Sequence, residues 1–266
     1  MSDRQVALAA LQLHEAERNR RQTDLLSLKH PEMTMLDAYR IQHALIERKV
    51  AAGEKPVGYK IGLTSRAMQR ALGIEIPDSG ALFDTMLVDN GAMVASGRYI
   101  EPRIEAEIAF VMKRGLSGDK TSRQDAIDAT DHVMPALEIL DTRIYRKDPA
   151  SGTARNVLDT IADNAANAGI VLGDRRHRLE SVDLNWVGAI VRRGGEVEET
   201  GLGAGVLDDP VSAVVWLARR LGRFGQSIRS GDIILSGSFI RPIEAPPGSA
   251  FEADFGSFGR VEVTFG

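Results

Sequence analysis

A chain of 266 residues, 43% of them hydrophobic, is long enough to bury a sizeable core in one large domain with a small appendage. Its net charge of -4, from 33 Lys+Arg against 37 Asp+Glu, offers no basic footprint for nucleic acid, and 5% aromatic residues offer little for base stacking. The absence of cysteine excludes disulfides, thiolate nucleophiles and Cys-ligated metals. No stretch of roughly 18 apolar residues marks a membrane span, and the N-terminus lacks a secretory leader, so a cytoplasmic protein is expected.

In chain order, residues 3–27 predict a helix with Val6, Leu8, Leu11, Leu13 and Ala16 as its apolar stripe. Thr34 is a candidate N-cap for a second helix that carries Tyr39, Ile41 and Leu45 and stops at Gly53. Residues 1–55 therefore read as a helical segment, and 56–266 as a β-rich domain. Gly58–Ser65 predicts a short strand running into a helical turn near Ser65–Leu72, and Pro77-Asp78-Ser79-Gly80 predicts a turn. Short strands follow near 86–88 and 93–95. Helices are predicted over 121–130, 157–168 and 211–221. Strands are predicted at 132–140, 169–172, 185–192, 196–200, 233–236, 251–255 and 261–265, which together give an α+β chain.

One stretch carries more than fold. In Pro102–Met112 the residues Ile104, Ala106, Ile108, Phe110 and Met112 recur with period two, as one buried face of a strand. The opposite face reads Arg103, Glu105, Glu107, then Ala109 and Val111. Two carboxylates on one face that turns apolar a step later need a cation or a shared proton. Alternatively, the face is exposed and Arg103 pairs with Glu105.

No dinucleotide or P-loop glycine motif, no G-x-S-x-G elbow and no H-E-x-x-H occurs, and the five histidines are scattered. His132 reads as a structural histidine. What remains is carboxylate and lysine chemistry. Glu138 stands alone in an apolar run, where an ionised side chain is costly unless paired. Joined to Glu105 and Glu107 it makes three carboxylates, a hard-cation set. Lys60 sits between glycines in a short strand, and Asp78 alone reads as a turn former.

Five motifs in order, G-Y-K-I-G-L-T-S (58–65), P-D-S-G-A-L-F (77–83), R-I-E-A-E-I-A-F (103–110), P-A-L-E-I-L-D (135–141) and D-N-A-A-N-A-G (163–169), give the chain its resemblance. It resembles the hydratase/decarboxylase branch of the fumarylacetoacetate hydrolase superfamily over nearly its whole length. D-P-A-S-G-T-A-R-N-V (148–157) and S-G-S-F (236–239) draw the resemblance toward hydratases of a seven-carbon diacid. The resemblance implies a mixed β-roll with the N-terminal helices packed on it. It implies that Glu105, Glu107 and Glu138 ligate Mg²⁺ or Mn²⁺, that Lys60 and Asp78 do acid–base work, and that Lys60 and Ser236 touch substrate. The implied substrate is a small 2-hydroxy-2,4-dienoate or its 2-oxo tautomer, hydrated at C4, with decarboxylation in the same branch as the alternative. A divalent charge beside Lys60 is expected to lower its pKa. A second carboxylate on the substrate needs a cation, and the loop holding Arg143, Arg146, Lys147 and Arg155 is the nearest supply, with Arg143 and Arg146 the candidates. A homo-oligomer is implied, and a non-catalytic partner subunit of a hydratase–decarboxylase pair is the alternative to an enzyme.

Overall fold

The first helix, α1 (Asp3–Asn19), opens with a capping box in which Ser2 and Gln5 satisfy each other's backbone N–H groups. It stops at Arg20, whose backbone is left-handed at φ 52. The single helix expected over 3–27 is thus divided, and a one-turn α2 (Leu26–Lys29) follows. Thr34 caps α3 (Met35–Ala51) as expected, with Asp37 closing the box. Helices α1 and α3 bury Val6, Ala9 and Leu13 against Ala38, Ile41 and Leu45, and share that core with Ile144 and Ile161. This is a satellite of the main core rather than its extension. The computed structural model describes residues 1–66, 69–70 and 76–266, so half of the helical turn expected near Ser65–Leu72 lies outside the described residues, while Arg66, Gln69 and Arg70 are helical as expected.

The remaining elements are β1 (Pro56–Gly62), β2 (Asp78–Phe83), β3 (Leu87–Val88), β4 (Met93–Val94), β5 (Arg103–Met112), α4 (Arg123–Ala129), β6 (Thr130–Leu140), α5 (Val157–Ala162), β7 (Asn167–Leu172), β8 (Gly188–Arg193), β9 (Glu196–Leu202), α6 (Pro210–Arg223), β10 (Ile233–Leu235), β11 (Ile243–Glu244), β12 (Ala250–Asp254) and β13 (Arg260–Phe265). The larger sheet takes the order β2-β1-β10-β5-β6-β7-β3, with β11 on β5; the smaller is β4-β13-β12-β8-β9. Parallel and antiparallel pairs mix within both sheets. The architecture is α+β.

Strand β5 is paired along both edges within the larger sheet, and packing covers both of its faces. Ile104, Ala106, Ile108 and Phe110 are at 0% exposure and join a core with Val191, Phe251 and Val261 of the smaller sheet and Val214 and Leu217 of α6. On the other face Ala109 packs with Ala136, Met134, Ile170 and Leu235. Glu105 and Glu107 occupy that second face, so the exposed-strand alternative fails.

Two further expectations change. Pro77–Gly80 is not a turn: Asp78 is the first residue of β2, which is buried along its length and laddered to β1 with Gly62 opposite Asp78 and Lys60 opposite Gly80. Turn chemistry yields here to six backbone pairs. The helix expected over 157–168 ends at Ala162, because Asn164, Ala165 and Ala166 take left-handed φ of 50, 53 and 57. The Asn164 side chain then accepts from Ala81 N at 2.8 Å and donates to Ala81 O at 2.9 Å, closing the free edge of β2 as another strand would.

Candidate active site and metal centre

The register of the larger sheet assembles the site. Glu105 of β5 lies directly opposite Glu138 of β6, and Glu107 is one pleat further along the same face. Ligand oxygens of the three carboxylates all lie within 4.8 Å of one another. Glu138 is fully buried, Glu107 nearly so, and Glu105 keeps partial exposure. Lys60 and Asp78 reach in from β1 and β2, two and three strands from β5. The Lys60 Nζ stands 3.4 Å from Glu138 Oε1, close enough for an ion pair. Lys60 is 4% and Asp78 2% exposed.

Glycines make the room. A Cβ on Gly62 would meet Asp78 Oδ1 at 2.3 Å and Lys60 Nζ at 3.1 Å, so no side chain fits where these two groups converge. Gly237, at φ +112, donates its N–H to Glu107 Oε2 at 2.7 Å and leaves Thr64 no space for a Cβ beside it. Neither glycine stands out in the sequence as a site residue. Their signal is faint, because a glycine in a strand or a loop has many ordinary causes.

Charge in this pocket is unbalanced. Burial pushes all three glutamates up, with Glu105 reaching about 8, and the repulsion of Glu138 adds to the rise at Glu105 and Glu107. Burial also raises Asp78, against the pull of Lys60. Burial alone would lower Lys60, but Glu138, Asp78, Glu105 and Glu107 together hold it well above its ordinary value. The carboxylates thus favour the ammonium form of Lys60, and the lowering expected from sequence is one that a divalent charge among them would supply. Four carboxylates face one ammonium, and among the described residues Glu107 Oε1 and both oxygens of Glu138 have no hydrogen-bond partner. Buried carboxylate oxygens left open at this spacing fit a hard divalent cation, which Glu105, Glu107 and Glu138 would hold.

The other expected residues sort differently. Ser236 follows β10, is fully buried, and its Oγ has no partner among the described residues. Arg103 pairs with Glu244 at 3.0 Å, not with Glu105. Arg143 is turned into the protein: it pairs with Asp163 at 2.5 Å and donates from Nη1 to Asn167 O at 2.9 Å and from Nη2 to Asp163 O at 2.5 Å. At 2% exposure its guanidinium is spent on the fold, so the expectation that Arg143 anchors a substrate carboxylate loses its donor groups. Arg146 donates to Glu101 O at 2.9 Å and keeps partial exposure.

Comparison with known proteins decides the family. No protein-family model matches the chain. The chain is 44% identical over 258 residues to the 2-oxo-hept-4-ene-1,7-dioate hydratase of Escherichia coli, covering 97% of each. The chain belongs to the hydratase/decarboxylase branch of the fumarylacetoacetate hydrolase superfamily. It is also 38% identical to the 2-keto-4-pentenoate hydratase of Paraburkholderia xenovorans, covering 100% of this chain and 96% of that one. Among solved structures, the 4-oxalocrotonate decarboxylase of Pseudomonas putida G7 complexed with magnesium and adipate superposes with a TM-score of 0.94 at 35% identity, covering 100% of this chain and 98% of that one. The fumarylpyruvate hydrolase of Pseudomonas aeruginosa, at 14% identity and a TM-score of 0.57 over 78% of this chain and 88% of that one, shares the fold alone. Among the described residues of this branch member, no helix is long and apolar enough to cross a membrane.

Proposed function

We propose that the protein is a divalent-metal-dependent hydro-lyase that adds water to 2-oxo-hept-4-ene-1,7-dioate to give 4-hydroxy-2-oxoheptane-1,7-dioate, with Mg²⁺ as the fitting metal. The observation that carries this reading is the buried trio Glu105, Glu107 and Glu138 facing Lys60 and Asp78, in a chain 44% identical to a hydratase of that substrate. A cation in the trio supplies Lewis-acid stabilisation for the oxygen charge that develops at the 2-oxo end of the substrate. The chain's own residues do the rest. Asp78, raised by burial, is poised to take a proton from water or from the dienol and to return it. Lys60, held as an ammonium, donates a hydrogen bond or a proton to substrate oxygen. Strands β1, β2, β5 and β6 wall the groups in, which keeps bulk water from competing for those protons. Ser236, buried beside the Gly237 that fixes Glu107, supports a substrate contact from the same loop.

The finer structural points belong to the same proposal. The two sheets correspond to the superfamily's mixed β-roll, residues 1–55 form a helical segment packed on a catalytic domain of 56–266, and the protein works as a cytoplasmic homo-oligomer. A second reading, decarboxylation of a shorter 2-oxo diacid, is favoured by the superposition on the Pseudomonas putida decarboxylase. The deciding experiment supplies 2-oxo-hept-4-ene-1,7-dioate and 2-oxohex-3-enedioate with Mg²⁺, and follows dienol absorbance together with released CO₂. Hydration without gas from the seven-carbon diacid supports the first reading. Stoichiometric CO₂ from the six-carbon diacid supports the second. Full activity after exhaustive chelation overturns both.

A further inference from the structure

Four arginines, Arg103 at the start of β5 and Arg143, Arg146 and Arg155 in the loop after β6, are distinguished by their partners. Arg143 is turned inward onto Asp163 at 2.5 Å, Arg103 holds Glu244 at 3.0 Å, and Arg146 stands 3.5 Å from Glu101. Arg155 has no such partner. Among the described residues its guanidinium donates from Nη1 to the Thr142 hydroxyl and makes no ion pair with a carboxylate. It is half-buried all the same. Burial is the largest influence on it and outweighs the attraction of Asp163 and Asp159, neither of which reaches it as an ion pair, so the guanidinium still has a place for an anion.

Its placement shows which anion. The Arg155 N–H donates to Arg146 O at 3.0 Å, and an isolated bridge joins Lys147 to Ala154, so the loop folds back as a hairpin over the end of β6. Thr142, which Arg155 touches, lies two residues beyond Leu140, and Leu140 is the ladder partner of Arg103. Arg103 shares its strand face with Glu105 and Glu107. The step from Glu105 to Arg103 is two residues, about 7 Å along a strand. The six bonds between the terminal carbons of an extended heptanedioate span a similar ~7–8 Å, taking an extended backbone's reach of three bonds per residue. Glu105 is the one member of the trio that keeps partial exposure, and it lies on this side. A diacid with its 2-oxo end at the trio and its chain extended along β5 toward Arg103 would bring its far end to the Arg103–Arg155 side. Arg220, which acts on Asp78 as Lys60 and Arg155 also do, lies at the α3 side of β2, in a cleft of about 790 Å³, with its guanidinium 3.7 Å over the Tyr39 ring.

We propose that Arg155 binds the second carboxylate of the substrate and sets the preference of this site for a 2-oxo diacid over a 2-oxo monoacid. The proposal rests on the hydratase reading above. Bidentate pairing of a planar guanidinium with a carboxylate is the interaction that a diacid gains and a monoacid lacks.

The test uses full-length protein with Mg²⁺. Calorimetry measures the binding of 2-oxoheptanedioate and 2-oxoheptanoate, saturated analogues with no double bond to hydrate, to the native protein and to Arg155→Met, Arg155→Lys and Arg220→Met. The native protein is expected to prefer the diacid, and Arg155→Met to cut that preference by about ten- to a hundredfold, with partial recovery in Arg155→Lys. The ratio of kcat/KM for 2-oxo-hept-4-ene-1,7-dioate to that for 2-oxopent-4-enoate is expected to fall in parallel, through KM of the diacid. Thermal melts confirm that the variants fold; if Arg155→Met does not, Arg155→Gln replaces it. An unchanged preference in Arg155→Met, or a loss of preference in Arg220→Met instead, overturns the proposal. Failure of the native protein to bind or turn over either 2-oxo acid overturns the hydratase reading itself and is a different result.

Discussion

Two buried charged clusters sit within a few residues of each other along β6 and the loop after it, and they are built on opposite principles. At Asp163 the carboxylate accepts from Arg143 Nε at 2.5 Å and from the Arg143 N–H at 2.9 Å, and the rest of that guanidinium is spent on backbone carbonyls. Every charge there meets a partner within the chain. At Glu105, Glu107 and Glu138 the chain supplies four carboxylates, counting Asp78, for one ammonium, and leaves oxygens of Glu107 and Glu138 open. The first cluster is complete and holds the loop after β6 in place. The second is incomplete by construction, and incompleteness at full burial is what distinguishes a binding site from a structural ion pair.

The comparison is broken hardest at Glu138. Glu138→Gln removes one carboxylate of the proposed metal set, a member of a repelling trio. Titration calorimetry is expected to show affinity for Mn²⁺ reduced by at least about a hundredfold, with metal-dependent turnover lost. The melting temperature of the metal-free protein should hold or rise, since a buried like-charge contact has been relieved. A metal-free protein that melts much lower would make the trio a structural feature instead. Arg143→Met should do the reverse. It strands Asp163 in the interior and is expected to cost about 3–5 kcal/mol in urea unfolding, while the surviving folded protein keeps its metal affinity. Arg143→Met combined with Asp163→Leu should recover much of that loss, because no uncompensated charge then remains.

A carboxylate outside both clusters sharpens the contrast at smaller scale. Asp37 accepts from Thr34, from the N-terminal ammonium at 3.0 Å and from Arg40 at 2.8 Å, and the Thr34 hydroxyl bond, the largest of these influences, holds it well below the usual carboxylate range. A carboxylate lowered in the folded state contributes stability above its unfolded pKa and loses it as pH falls. Asp37→Asn is therefore expected to lower stability by about 1 kcal/mol near neutral pH, as a lost cap does, and the gap from the native protein should narrow below about pH 4. A gap that widens in acid would show that Asp37 is held up, not down.

Much of this was legible beforehand where local chemistry repeats or is spaced. The alternation of Ile104, Ala106, Ile108 and Phe110 named the buried face of β5, and Thr34 named the start of α3. Strand bounds came within one or two residues for β12 and β13. The misreadings share one cause. Asp78 in P-D-S-G and Asn164 in D-N-A-A-N-A both have local preferences that contacts far along the chain overrule: Asp78 by its ladder to Gly62, Asn164 by its clamp on Ala81. Arg143 and Arg155 are equivalent on paper, two arginines of one polar loop, and only their surroundings separate them.

By itself the sequence determined which residue types exist for chemistry, that Glu105 and Glu107 share one strand face while Glu138 stands alone in an apolar run, and which family carries such motifs in that order. Tertiary structure decided which of those groups meet. It set Glu138 opposite Glu105, bent the chain at Gly237 to hold Glu107, and sent Arg143 inward onto Asp163 while leaving Arg155 with no ion pair among the described residues. The physical reason is that period and propensity act over a few residues, whereas the partner of a buried charge is chosen by strand register and by folds in the chain that join residues scores of positions apart.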